Sequence, residues 1–327
     1  MSGVERPGRL LVVGYDGAAP PERLFAFARR YGLGGVILFR RNCPDAAAVR
    51  AGVTRLRDGL READPGWRPL ILVDQEGGRV ERIRDGVPAL PAARVLGRQG
   101  PRGVARAVDA QARALKALGV DVNLAPVCDV LHEGESGAIG DRSFGEDPVR
   151  VAALVAAHVQ ACRSGGVLPC AKHFPGHGRA RVDSHRELPV VDISEETFRC
   201  SDLVPFRAAL GAGAPLVMVG HLLCPRVSAR PATLSPRWIR GVLREDLGFS
   251  GAVVSDDMEM GALDRLGTPE ALAVEAVDAG CDLLVYGRML RPELDLEGVA
   301  AALGEGVPPA RAAEAMGRVA ALGDART

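Results

Sequence analysis

The sequence predicts a single (β/α)8 barrel, and three observations carry that expectation. Eight short runs rich in Val, Leu and Ile recur along the 327 residues, helical patterns fill the intervals, and polar residues gather at the C-terminal edges of the runs. Short continuous apolar runs suit strands covered on both faces, as in parallel sheets. Strands alternating with helices build α/β folds, and barrel enzymes assemble their sites at the C-terminal strand ends. Two smaller doubly wound domains are the alternative. No Pro/Ser-rich hinge or shift in composition marks a boundary between them, so residues 1–327 are read as one catalytic domain.

The eight runs span 10–13, 36–39, 70–73, 120–124, 167–171, 216–219, 252–254 and 283–285. Between them, Val104, Val108, Leu115 and Leu118 recur at helical spacing, as do Val151, Leu154, Val155 and Val159. Three helix starts are announced by a capping residue followed by proline: Asp147-Pro148, Ser235-Pro236 and Thr268-Pro269. Asp74 follows the third run, Lys172 and His173 the fifth, His221 the sixth, and Ser255, Asp256 and Asp257 the seventh. The connections 125–147 and 173–193 exceed ordinary loop length, which marks them as functional.

Composition excludes several classes. Apolar content of 47% and charged content of 25% are those of a soluble globular protein. The 41 basic and 41 acidic residues are interspersed, which leaves no electrostatic footprint for nucleic acid or an anionic membrane. No apolar run approaches the ~20 residues of a membrane helix, and residues 1–11 lack a signal-peptide pattern. The seven cysteines are odd in number and scattered without a C-x-x-C pair. That pattern points to buried free thiols and a cytoplasmic location. The patterning carries no signal for oligomeric state.

The richest segment is 172–185, K-H-F-P-G-H-G-R-A-R-V-D-S-H. It holds three of the six histidines and Lys172, in a chain whose only other lysine is Lys116. An ammonium, several imidazoles and a carboxylate lying among glycines form a binding and proton-transfer loop. Within it, Asp183 and His185 are two residues apart and share a face if locally extended, an arrangement that fixes a tautomer and serves general acid/base chemistry. V-S-D-D-M-E-M at 254–260 puts adjacent carboxylates at a buried strand end. One of them suits a nucleophile, while Asp256 with Glu259 also fits a capping box. Strand alternation predicts that only one of Asp256 and Asp257 faces the site. V-D-Q-E-G-G-R-V-E-R at 73–82 ends a strand on Asp74 and turns at Gly77-Gly78, and Arg142 precedes a capped helix. No phosphate-loop motif occurs. A zinc site built from His173, His177, Asp183 and His185 is the rival chemistry, but the histidine spacing is not that of a helical H-E-x-x-H.

Together these motifs resemble glycoside hydrolase family 3, specifically its single-domain β-N-acetylglucosaminidases. The resemblance rests on G-G-V-I-L-F at 34–39, D-Q-E-G-G-R-V at 74–80, R-S-F-G at 142–145 and K-H-F-P-G-H-G at 172–178. D-S-H at 183–185, P-A-T-L-S-P at 231–236 and S-D-D at 255–257 complete the set. It implies Asp256 as nucleophile, His185 as acid/base and Asp183 as its orienting partner. Asp74, Arg82, Arg142, Lys172 and His173 would hold the sugar, with no cofactor and no metal. The implied function is a retaining exo-β-N-acetylglucosaminidase that acts on a small carbohydrate in cytoplasmic cell-wall recycling. Aromatic content of only 4% argues for an end-on substrate rather than a long polysaccharide. The chain departs from the pattern at Arg179-Ala180, where relatives often carry Asp-Thr, and at H-E-G-E-S-G within 131–137. A metal-dependent barrel hydrolase, a β-glucosidase of the same family and a glycoside phosphorylase are the alternatives. The β-glucosidases usually take their acid/base from a second domain, for which this chain has no spare length. A histidine acid/base would admit phosphate as acceptor.

Overall fold

The computed structural model describes residues 3–132, 138–184, 186–287 and 293–324. Eight parallel strands close into a barrel in sequence order. They are β1 (Leu11–Val13), β2 (Gly35–Leu38) and β3 (Leu70–Val73), then, after an antiparallel hairpin of β4 (Gln75–Gly77) and β5 (Val80–Glu81), β6 (Val122–Asn123), β7 (Leu168–Phe174), β8 (Leu216–Val219), β9 (Ala252–Asp257) and β10 (Leu283–Tyr286). Strand β3 pairs with β6 across the hairpin, and β10 closes on β1. The surrounding helices are α1 (Glu22–Tyr31), α2 (Ala46–Ala63), α3 (Ala93–Leu96), α4 (Gly100–Ala117), α5 (Pro148–Ser164), α6 (Glu195–Cys200), α7 (Val204–Gly211), α8 (Pro269–Ala279), α9 (Leu296–Gly306) and α10 (Pro309–Asp324). A π-wound segment, Arg237–Asp246, covers the β8–β9 crossover.

Strand alternation divides the core in two. Val12, Leu70, Leu72, Cys170, Leu216, Met218, Ala252, Val254, Leu283 and Val285 fill the barrel lumen. Their neighbours Val13, Ile71, Val73, Val217, Val219, Val253 and Leu284 face the helices. Val319 and Leu322 of α10, with Trp67, pack into the lumen cluster. The expected helix starts are present. Asp147 and Thr268 accept the N–H groups of Val149 and Ala271, and the Ser235 hydroxyl accepts that of Trp238. All seven cysteines are free, six of them buried. Among the described residues no helix is long and apolar enough to cross a membrane.

Two strands run further than the apolar runs suggest. Strand β7 continues through Lys172 and His173 to Phe174, and β9 through Ser255 and Asp256 to Asp257. Each carries an extra residue against its neighbour. Ala171 pairs with Val217 and Phe174 with Val219, while Val254 pairs with Leu283 and Asp257 with Val285. Such bulges break strict alternation and re-aim side chains.

Candidate active site

The polar groups converge where the barrel strands end. Asp74 links β3 to β4, and two residues on, Glu76 shares its face of the extended chain. The Arg142 guanidinium grips Glu76 through two 2.8 Å bonds, Nε to Oε2 and Nη2 to Oε1. The Lys172 ammonium, 2% exposed, lies 2.6 Å from Glu76 Oε1 and 2.7 Å from Asp74 Oδ1. Arg82 Nη2 sits 3.7 Å from the other Asp74 oxygen. Burial alone would raise the Glu76 carboxyl, but Arg142 and Lys172 hold it far below the usual carboxylate range. Burial would likewise discharge Lys172, yet Asp74 and Glu76 keep it an ammonium.

A second carboxylate organises the histidines. Asp129, fully buried, takes His173 Nδ1 at 2.7 Å and the His177 backbone N–H at 2.7 Å. With Nδ1–H directed at Asp129, His173 Nε2 accepts from Arg142 Nη2 at 3.3 Å. Burial lowers the His177 imidazole, and neither of its ring nitrogens has a hydrogen-bond partner among the described residues.

Asp256 stands at the end of β9. Burial pulls its carboxyl up, but the imidazoles of His173 and His221, the Asp257 N–H at 2.9 Å and Lys172 together hold it below the ordinary value, so it is a carboxylate at neutral pH. Asp257 goes the other way: burial and the nearby Glu259 carboxylate push it up to about 7. Asp257, not Asp256, makes the turn contacts, with Oδ1 accepting the Glu259 and Gly287 N–H groups. The capping role considered for Asp256 is therefore not the one observed. His221 donates from Nε2 to the Asp257 carbonyl at 2.9 Å and pairs through Nδ1 with Thr233.

These groups line one cavity of about 340 Å³. Asp74, Arg82, Arg142, Lys172, His173, Asp183 and Asp256 all border it, as do Glu76, His177, Ser184 and Asp257. Both members of each adjacent pair, Lys172-His173 and Asp256-Asp257, reach it, against the expectation that only one of the two aspartates would. The bulges in β7 and β9 are the physical reason. His185 lies outside the described residues, while its neighbour Ser184 is buried at the cavity edge, its carbonyl accepting the Ala262 N–H at 3.1 Å. Among the described residues no group of three or more His, Cys, Asp or Glu side chains is placed to hold a metal ion. Glu76 and Asp129 were missed from the sequence. Glu76 had a signal in the D-Q-E alternation, whereas Asp129 offered only an acid in an apolar run, C-D-V, which needs a buried partner.

The family model of the glycosyl hydrolase family 3 N terminal domain matches residues 8–322. The chain belongs to glycosyl hydrolase family 3. It is thus a glycoside hydrolase, an enzyme that acts on carbohydrate. A β-hexosaminidase of Xylella fastidiosa (strain 9a5c) is 39% identical over 303 residues, covering 90% of this chain and 87% of the relative. A family 3 β-N-acetylglucosaminidase from Paenibacillus sp. str. FPU-7 superposes with a TM-score of 0.92 at 34% identity, over 98% of this chain. The chain spans only 62% of that larger protein. NagZ from Neisseria gonorrhoeae, solved in complex with N-trifluoroacetyl-D-glucosamine, superposes with a TM-score of 0.79 at 29% identity, covering 100% of this chain and 99% of its own.

Proposed function

We propose that this glycoside hydrolase is a retaining exo-β-N-acetylglucosaminidase. The observation that carries the reading is the ionised Asp256 sharing one small cavity with Asp183, four cationic side chains and His173. Asp256 attacks the anomeric carbon as the glycosidic C–O bond breaks, and His185, oriented by Asp183, gives its proton to the leaving oxygen. His185 then takes a proton from water, which attacks the same carbon and releases Asp256 as carboxylate. Two inversions at one carbon retain configuration. Most retaining glycosidases use two carboxyl groups for this work; here an imidazole replaces the acid/base carboxyl.

Asp74, Arg82, Arg142, Lys172 and His173 supply the sugar contacts: Asp74 accepts from hydroxyls, while the cations and His173 meet hydroxyl and acetamido oxygens. The N-acylated glucosamine bound to the gonococcal relative supports an N-acetyl sugar. A cavity at the small end of the usual ~300–1,000 Å³ range suits one terminal unit. In this reading the acid/base comes from the chain's own β7 loop, so residues 1–327 act as one catalytic domain, without a metal or cofactor. A cytoplasmic role in cell-wall recycling, on a muropeptide-derived disaccharide, completes the proposal.

The test is cleavage of a chromogenic β-N-acetylglucosaminide with NMR detection of the first-formed anomer. The β anomer and no dependence on phosphate are expected. An inverted product, a glycosyl phosphate, or preference for the glucoside overturns the reading.

A further inference from the structure

Two side chains from separate loops, Arg179 and His132, meet on one buried carboxylate, Asp202. Arg179 Nε lies 2.9 Å and 3.2 Å from the two carboxylate oxygens of Asp202, and Arg179 Nη2 lies 3.4 Å from Ser201 Oγ. Asp202 sits between α6 and α7 and is fully buried. Its Oδ1 also takes His132 Nε2 at 3.2 Å. One buried carboxylate thereby joins three segments: the loop after β6, the loop after β7 and the α6–α7 junction.

The backbones are pressed together at the same place. A Cβ on Gly178 would stand 1.8 Å from the Val130 carbonyl oxygen, and one on Gly176 would stand 2.8 Å from Asp202 Cβ. The β7 loop is thus clamped on its outer side at Gly176–Arg179. It is held again where Ser184 accepts the Ala262 N–H. Only 180–183 span the interval between the two holds, and Asp183 is the last of these.

We propose that the Arg179–Asp202 pair, with His132 as its second donor, is the positioning device for the acid/base. It fixes the take-off of the segment 180–183, which ends on Asp183, the orienting partner assigned to His185. This inference rests on those two residues being the acid/base pair. Arg179 touches no reacting atom. Its effect is geometric, and misplacing a proton donor by about 1 Å can cost ~10²-fold.

The test compares Arg179→Ala, Arg179→Lys and His132→Ala with His185→Ala, on an activated nitrophenyl glycoside and on N,N′-diacetylchitobiose, with melting curves for each. Acid/base assistance matters most for the poor leaving group. Arg179→Ala should lose roughly 10–100-fold in kcat/KM on the disaccharide and far less on the nitrophenyl substrate. Arg179→Lys, which keeps the charge but not the two-point grip, should recover part of the loss. His132→Ala should show the same selectivity, more weakly. If His185→Ala is selective while Arg179→Ala loses equally on both substrates, Arg179 merely stabilises the fold and the proposal is wrong. If His185→Ala itself shows no selectivity, the acid/base assignment falls, and the positioning role falls with it. Should Arg179→Ala not fold, Arg179→Lys carries the same comparison, and equal losses on both substrates refute the proposal.

Discussion

Replacing Glu76 by Gln tests whether the cation pair at the cavity is held by a charge or by shape. The substitution keeps the volume and one acceptor oxygen but removes the charge facing Arg142 and Lys172. A hydrogen bond to a charged group is worth about 1.5–3 kcal/mol, and unpairing a buried ion costs about 3–5 kcal/mol. Lys172 retains Asp74 at 2.7 Å, and Arg142 retains His173 Nε2 at 3.3 Å, so the lower end applies. A loss of about 3 kcal/mol follows, equivalent to roughly 6 °C in Tm at about 2 °C per kcal/mol for a chain of this size. The folded carboxyl titrates below its unfolded value, so this stability is present above the ordinary glutamate range and is lost only as pH falls toward the depressed value. Wild type and Glu76→Gln should therefore differ most at neutral pH and converge in strong acid. The freed Arg142 and Lys172 side chains should raise KM by about 10-fold or more, at 1.4 kcal/mol per decade. Melting curves from pH 3 to 8 and steady-state kinetics read both effects. Equal Tm and KM in the two proteins at pH 7 would falsify the charge-clamp argument.

Three further outcomes are expected. Asp256→Ala should lose at least ~10⁴-fold in kcat, as removal of a nucleophile does; measurable turnover in Asp256→Ala with a dead Asp257→Ala would reverse the assignment of the two aspartates. Asp257, raised to about 7, binds its proton more tightly folded than unfolded, so its contribution to stability is present below pH ~4 and lost as pH rises through 7. Asp257→Asn should accordingly gain Tm relative to wild type at pH 8 compared with pH 5, and a pH-independent difference contradicts this. At the opposite end of the barrel, fully buried Asp282 takes Arg244 and Arg311 at 2.7 Å and Arg318 at 3.2 Å, so Asp282→Ala should cost about 3–5 kcal/mol in denaturant unfolding without changing substrate preference.

How much was legible follows from the kind of signal each part gives. The barrel was readable because strands buried on both faces must be apolar throughout, and runs 70–73 and 216–219 match β3 and β8 to the residue. Run 120–124 shrank to Val122–Asn123, since Asn123 spends its amide on the Gln75 backbone and Asp121 its carboxylate on the Ile71 N–H. Strands β7 and β9 were underestimated because polar residues, Lys172-His173 and Ser255-Asp256-Asp257, interrupt their apolar runs, and their bulges are invisible to a period-two pattern. Asp74, Arg82, Arg142, Lys172, His173, Asp183 and Asp256 could be gathered at one mouth because each follows a strand or sits in a long connection. Asp129 and Asp202 could not. Each is a lone acid whose importance lies in partners 23 to 70 residues away, and no local pattern encodes that.

The packed lumen governs traffic as well as stability. With its interior filled from Val12 to Val285 and α10 packed against it, the barrel of the described residues offers the sugar one doorway, the mouth at the strand ends. Under the proposed mechanism the departing aglycone leaves by that doorway before water can enter, so the two half-reactions are forced into sequence. Any other hydroxyl compound waiting there competes with water for the covalent intermediate. High concentrations of sugar acceptor should thus divert the enzyme from breaking glycosidic bonds to making them.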